Sequence, residues 1–310
     1  MRWRLLTLSA PLCLATAPPS DVFPLEGAAC SAAAGRPPPK TPTAFEVLTS
    51  KWDALPLPDV PDFGSRWEPM LDELDKIFSN SSVVRAPTLE SRSEAQQEVA
   101  SALGDKAAAV YGEMLNIGTL GMLHHLGAQP GQRFYDLGSG TGKATMIAWL
   151  WGLHATGIEL VSQRWQSACR ALEAVRHTPQ LRPPLTGGSM RQIKGNLAEI
   201  DVADADFVFS NSVMFPQELV RMMARHLGDS LRPGALVVCF QLLQTIDDRF
   251  VSLGKIMGPA TWKLDQSWHV HKVVTSPADA PRQDEKLGEP QPGRLPDQVC
   301  ELLAESDRPS

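Results

Sequence analysis

Between Phe134 and Lys143 the chain reads Phe-Tyr-Asp-Leu-Gly-Ser-Gly-Thr-Gly-Lys, and this stretch constrains the fold more than any other. Arg133 to Leu137 is short, apolar and β-compatible, and Pro130-Gly131 in front of it is a turn. Glycine at alternate positions allows positive φ and lets backbone approach a ligand closely. From Thr141 onward, Ala144, Met146, Ile147 and Leu150 recur at helical spacing. The stretch is therefore a strand end, a glycine turn and a helix start. A ligand can sit over the carboxyl end of such a strand, at the first turn of the helix.

Spacing separates the glycine-loop chemistries. A phosphate-cradling P-loop needs Ser or Thr after Gly-Lys, and here Ala144 follows Gly142-Lys143. A dinucleotide fingerprint needs its third glycine one residue later, where Lys143 stands. The pattern is instead D-x-G-x-G-x-G. A second apolar segment, Ala155 to Leu160, reads as the next strand and carries Glu159 near its end. An acid about 20 residues past a glycine turn suits ribose hydroxyls, because a carboxylate accepts two hydrogen bonds.

Further strands are expected at Ser189–Lys194, Asp206–Asn211 and Ala235–Phe240. A closing antiparallel pair is expected from Trp262-Lys263-Leu264 and Trp268–Val274. Helices are expected on the face of Met70, Leu71, Leu74 and Ile77-Phe78, over Ser93–Ala108, from Leu115 to Gly127, over Arg164–Arg176 and after Pro216. Strands alternating with helices argue a parallel sheet covered on both faces.

With 310 residues, 43% of them apolar, the chain can bury one large core, or a core and a small domain. A net charge of −6 leaves no whole-chain basic field to hold nucleic acid. Cys13, Cys30, Cys169, Cys239 and Cys300 are scattered with no C-x-x-C pair, so neither a metal site nor a disulfide framework is expected. Arg2 and Arg4 precede an apolar run from Leu5 to Ala17, which has the shape of a secretory or organelle-targeting segment but is too short for a membrane span. Residues 1–43 are expected to be disordered or a targeting segment, 44–110 a helical region, 111–275 the main domain and 276–310 a disordered tail. Val299 to Leu303 is at most a short helix there.

The stretch from Tyr111 to about Val274 resembles the DOT1-like histone lysine methyltransferases. The glycine turn itself resembles the first motif of class I S-adenosylmethionine (SAM)-dependent methyltransferases. Tyr111-Gly112-Glu113 is similar to the family's Tyr-Gly-Glu loop, and Asp136-Leu137-Gly138-Ser139-Gly140 matches its Asp-Leu-Gly-Ser-Gly. Ser210-Asn211-Ser212-Val213-Met214-Phe215-Pro216 is similar to its Asn-Asn-Phe-x-Phe segment, with Asn211 on the first Asn and Phe215 on the second Phe. Asn196 stands where the family has Asp, Leu197 where it has an aromatic, and Cys239-Phe240 where it has two serines.

The resemblance implies a Rossmann-like α/β fold with a seven-stranded, mostly parallel sheet, helices on both faces and an N-terminal helical segment. It implies SAM as cofactor, held by Tyr111, Glu113, Asp136, Gly138, Ser139, Gly140, Gly142, Glu159, Asn196, Leu197 and Asn211. On the residues alone, Asn196 either contacts an adenine edge or caps a turn. Asp136 either meets the methionine amino group or fixes the loop. Glu113 reads equally as an electrostatic helix start. The resemblance implies a catalytic role for Asn211 and a lysine channel walled by Phe215, Trp262 and Trp268. It also implies a protein substrate, histone H3 in nucleosomes, and a nuclear location. The Lys and Arg residues are dispersed rather than gathered into a nucleosome-binding segment. A non-histone or small-molecule substrate in an organelle or the secretory pathway is therefore the alternative, and a non-catalytic SAM-binding protein is a third reading.

Overall fold

A computed structural model describes residues 60–85, 89–104, 109, 112–183, 188–274 and 298–302. The chain divides into two units, Met1–Thr41 and Pro42–Ser310, and every described residue belongs to the second. The expected N-terminal segment 1–43 and Tyr111 lie outside the described residues.

Eight strands form one sheet: β1 (Arg133–Leu137), β2 (His154–Glu159), β3 (Met190–Lys194), β4 (Phe207–Ser210), β5 (Leu236–Cys239), β6 (Phe250–Ala260), β7 (Lys263–Val273) and β8 (Gln298–Leu302). Their order is β6-β7-β5-β4-β1-β2-β3-β8. The four central pairings, β3 with β2, β2 with β1, β1 with β4 and β4 with β5, are parallel, and β6, β7 and β8 run antiparallel to their neighbours. This is the implied seven-stranded sheet with one strand added at the β3 edge.

The helices are α1 (Glu68–Ser79), α2 (Leu89–Leu103), α3 (Asn116–His125), α4 (Lys143–Trp151), α5 (Ser162–Arg176) and α6 (Gln217–Ser230). Alternate side chains of a strand point to opposite faces, and the central strands feed two cores in that way. Phe134, Phe207, Phe209 and Val238 pack with Leu74 of α1, Leu120 of α3 and Ile147 of α4. Tyr135, Leu137, Val208 and Val237 pack with Leu219, Met223 and Leu227 of α6. Each large aliphatic side chain so buried contributes roughly 1.5–3 kcal/mol, and both faces of the parallel strands need cover.

Three expectations are corrected. The closing pair is β6 with β7, joined at Thr261-Trp262, so Trp262 lies in the turn and both expected members of the pair fall at one strand. Gly254, Gly258 and Pro259 break the strand pattern of β6, which no expectation covers. A sheet edge tolerates them, and register shifts fall between Ser252 and Gly254 and between Gly258 and Ala260. The expected tail from 276 is ordered at β8, which is a strand rather than a helix and pairs with β3 from Met190↔Leu302 to Lys194↔Gln298. Cys169 of α5 and Cys300 of β8 form a disulfide across 131 residues, which no local spacing foretells. A place in a core element implies a reduced thiol for both Cys169 and Cys239; Cys239 is free and buried, and Cys169 is not reduced.

Candidate active site

The carboxyl ends of the parallel strands meet the glycine turn. Gly138 and Ser139 both donate backbone N–H bonds to the Ile158 carbonyl at 2.9 Å, which folds the turn back onto the end of β2. Gly138 has φ +81°, and a Cβ built on it lies 3.4 Å from the Phe215 ring. Gly142, at φ +85°, caps α4. Ser139 turns its hydroxyl inward, donating to Gln192 Oε1 at 3.3 Å. Asp136 also points inward: it is 2% exposed and accepts from Thr145 Oγ1 at 3.1 Å. Burial pushes its carboxyl up to about 7; Thr145 works against that shift, and the carboxylates of Glu159 and Glu113 add to it. Of its two readings, the geometry favours fixing the loop.

Glu159 is 4% exposed and holds the turn from the other side. Its Oε2 accepts from the Gly140 N–H and its Oε1 from the Val161 N–H, both at 2.8 Å. A carboxylate has about four acceptor positions, so about two remain, on the wall of a solvent-open cleft. Gly138, Leu160, Leu197, Asn196, Asn211 and Phe215 share that wall. Asn196 also caps its own turn, accepting from the Ala198 N–H at 3.1 Å and donating to Glu199 at 2.9 Å, so it is both a cap and a wall residue.

The segment around Glu113 runs along the end of β6: Leu115 donates to the Pro259 carbonyl and Thr261 to the Glu113 carbonyl, each at 2.9 Å. The Glu113 carboxylate accepts from Thr141 Oγ1 at 2.7 Å and pairs with Lys143 Nζ at 2.6 Å. Glu113 therefore ties this segment to the glycine turn. Asn211 Nδ2 donates to the Gly112 carbonyl at 2.6 Å, and Trp268 Nε1 donates to Asn211 Oδ1 at 3.3 Å. The Trp262 ring packs against Gly112, where a Cβ would come within 2.5 Å of it. Trp262 is 41% exposed and Trp268 is fully buried in the core. Trp268 is thus corrected from a channel wall to a support for Asn211.

The structure brings together Gly138, Glu159, Asn196, Leu197, Asn211 and Phe215 at one cleft, and sets Asp136, Ser139 and Gly142 beneath its turn. Sequence reasoning missed Thr145 under Asp136, Lys143 and Thr141 beside Glu113, Val161 and Arg164 of the α5 start, and Val99 and Leu103 of α2, which line the cleft. Leu160 and Val161 directly follow Glu159, and that adjacency is a signal that could have found them.

The fold and cleft define a class I methyltransferase domain, for which SAM is the cofactor. A glycine whose missing Cβ opens the turn, beside a buried carboxylate with acceptor capacity left, fits a ligand carrying ribose hydroxyls. The family model described as "Histone methylation protein DOT1" matches residues 103–257, half of the chain, and the chain belongs to that family. No curated protein matches the chain. Among solved structures, an RNA methyltransferase from Salinibacter ruber in complex with S-adenosyl-L-homocysteine is 21% identical, covering 53% of this chain and 94% of its own, with a TM-score of 0.38. Magnesium protoporphyrin IX methyltransferase from Synechocystis PCC 6803 with bound SAM is 16% identical, covering 69% and 94%, with a TM-score of 0.40. Among the described residues no helix is long and apolar enough to cross a membrane, and no cluster of three or more His, Cys, Asp or Glu is placed to hold a metal.

Proposed function

We propose that the chain is a protein-lysine N-methyltransferase whose acceptor amine enters beside Asn211 and Phe215. The observation that carries this reading is Asn211 itself, a side chain on the cleft wall fixed at both ends by Gly112 and Trp268. SAM, when bound, supplies a methyl group on a sulfonium, which leaves as a neutral thioether without acid catalysis. The chain's task is then to position and desolvate, effects worth several kcal/mol.

Glu159 would hold the ribose, Gly138 would admit the cofactor backbone-close, and Ile158, Leu160 and Leu197 offer apolar surface for the base, with Asn196 at its edge. A lysine must lose its proton before it attacks, and apolar surroundings disfavour its charged form. Phe215 supplies such a surface over Gly138. Met214 and Phe240, just past β4 and β5, and Trp262, whose ring packs against Gly112, are exposed apolar side chains.

The family implies histone H3 in nucleosomes as substrate and the nucleus as location. A second reading keeps the chemistry and moves it to a non-histone acceptor in an oxidising compartment. The Cys169–Cys300 disulfide favours it, since such bonds persist outside reducing compartments. Radiolabelled SAM offered to the full chain with nucleosomes, free histones or organelle extract decides between them. Label on H3 only within nucleosomes supports the first reading, and label confined to the extract supports the second. No labelled protein in any mixture removes both protein acceptors, and label in the small-molecule fraction of the extract then separates a small-molecule acceptor from a SAM-binding protein without turnover.

A further inference from the structure

Arg164 lines both the candidate cofactor cleft and a second, solvent-open groove between α2 and α5. The same two helices wall both. Val99 and Leu103 of α2 face the first and Gln96 the second, while Arg164 of α5 lines both. Thr141 brings the glycine turn to the inner end of this groove.

The charge of the second groove runs against that of the chain. Arg85, Arg92 and Arg164 line it, and no carboxylate does so among the described residues, in a protein of net charge −6. Arg85 and Arg92 are exposed and have no hydrogen bond or ion pair among the described residues. Arg164 donates to the Ala109 carbonyl. Of the acids on α2, Glu98 is engaged elsewhere: its two oxygens take the Ser162 N–H, at 2.7 Å, and the Ser162 hydroxyl at the start of α5. The Arg170 guanidinium is held below its usual range, first by burial and then by the charge of Arg85.

Like charges gathered on one groove repel, and an anion there converts repulsion to attraction. Guanidinium forks match the oxygens of a phosphoryl group two at a time, and such charge-assisted bonds are the strong ones. The amides of Gln96 and Gln163 add neutral donors. We propose that this groove is a phosphoryl-binding subsite that holds a phosphate-bearing part of the methyl acceptor beside the cofactor cleft. The acceptor half of this statement rests on the methyl-transfer reading; the anion half does not.

The test is calorimetric titration of the full chain, at fixed ionic strength, with inorganic phosphate and separately with O-phosphoserine. Arg85→Gln/Arg92→Gln is the variant, and SAM is titrated into both proteins as a control on the fold and on the first cleft. Removing two guanidinium partners of the phosphoryl oxygens should lower phosphate affinity about tenfold or more, with SAM affinity unchanged. Equal phosphate binding by the wild type and the variant, or none by the wild type, overturns the subsite. Tighter binding of O-phosphoserine than of phosphate supports a group carried on an acceptor. Binding of inorganic phosphate alone overturns that half and assigns the groove to a free anion. Because the SAM titration is independent, failure of the cofactor reading is seen separately.

Discussion

Glu159 Oε2 takes the Gly140 N–H at 2.8 Å, so the end of β2 grips the turn that follows β1. The same carboxylate keeps about two acceptor positions toward the cleft, and one residue thus shapes the turn and offers the ribose its partners. Glu159→Gln keeps an oxygen for one backbone N–H but replaces the second acceptor with a donor that faces the Gly140 or Val161 N–H. We expect SAM affinity to fall about tenfold or more, the value of one or two hydrogen bonds to a charged group. Calorimetry with SAM checks this, and unchanged affinity would remove Glu159 from the site.

Asp136 makes stability depend on pH. Its folded-state carboxyl is pushed up to about 7 from an ordinary 3.8, chiefly by burial. A raised acid favours the protonated form in the fold, while the unfolded chain ionises first. Stability from this group is therefore fully present below the unfolded value, falls as pH rises from about 4, and levels off above about 7. At about 1.4 kcal/mol per unit, the loss amounts to a few kcal/mol. Asp75, raised to about 6 by burial, slopes the same way. Asp136→Asn keeps an acceptor for Thr145 and should flatten the part of the curve that belongs to Asp136. Thermal melts of both proteins from pH 4 to pH 8 measure it, and parallel curves would contradict the burial argument.

Gly157, in the middle of β2, has no room for a side chain. A Cβ there meets Gln192 Oε1, Thr145 Oγ1 at 2.7 Å and Ser139 Oγ at 2.8 Å, all of which lie under the glycine turn. Gly157→Ala should destabilise the fold by about 1–3 kcal/mol, the usual scale of overpacking. It should also weaken SAM binding, because it lifts the turn. Urea melts and SAM titration measure the two losses; Glu159→Gln, which sets a donor against the buried Gly140 or Val161 N–H, should also cost about 1–3 kcal/mol of stability.

The sequence carried the turn, β1, Glu159 and the Asn211–Phe215 segment because each is local: a short apolar run, a glycine spacing, an acid closing a strand. What it hid is tertiary. Trp268 read as a channel wall, yet alternation along β7 turns Gln266, Trp268 and Val270 inward, and no spacing reveals which face of a strand meets the core. Lys143 read only as the residue standing where a dinucleotide fingerprint needs glycine, and its ion pair with Glu113 depends on a segment 30 residues earlier meeting the turn. β6 and β8 are edge strands: Gly254, Gly258 and Pro259 interrupt the pattern in β6, and β8 lies beyond a Pro- and charge-rich stretch with polar Gln298 and Glu301 in its own run. Leu103 of α2 reaches the cleft from a helix whose apolar face gives no hint of a ligand.

The Cys169–Cys300 bond reaches the site through the elements it joins. α5 begins with residues that line the cofactor cleft, β3 ends next to Gly195, Asn196 and Leu197 on the same wall, and β8 is held against both. Arg176 adds one further tie, donating to the Glu301 carbonyl at 2.9 Å. Closing a loop across 131 residues is worth about 2–5 kcal/mol in the chain-entropy account. Reduction by a dithiol, which leaves two thiols and an oxidised reductant, should lower the melting temperature. It should also speed hydrogen exchange at β8 and the neighbouring edge of β3, while β1, β4 and β5 keep their protection. Cys169→Ser should reproduce both effects without reductant. Equal melting temperatures for the oxidised, reduced and Cys169→Ser proteins would mean that β8 is held by its strand pairing alone, and that the disulfide contributes nothing to the wall it borders.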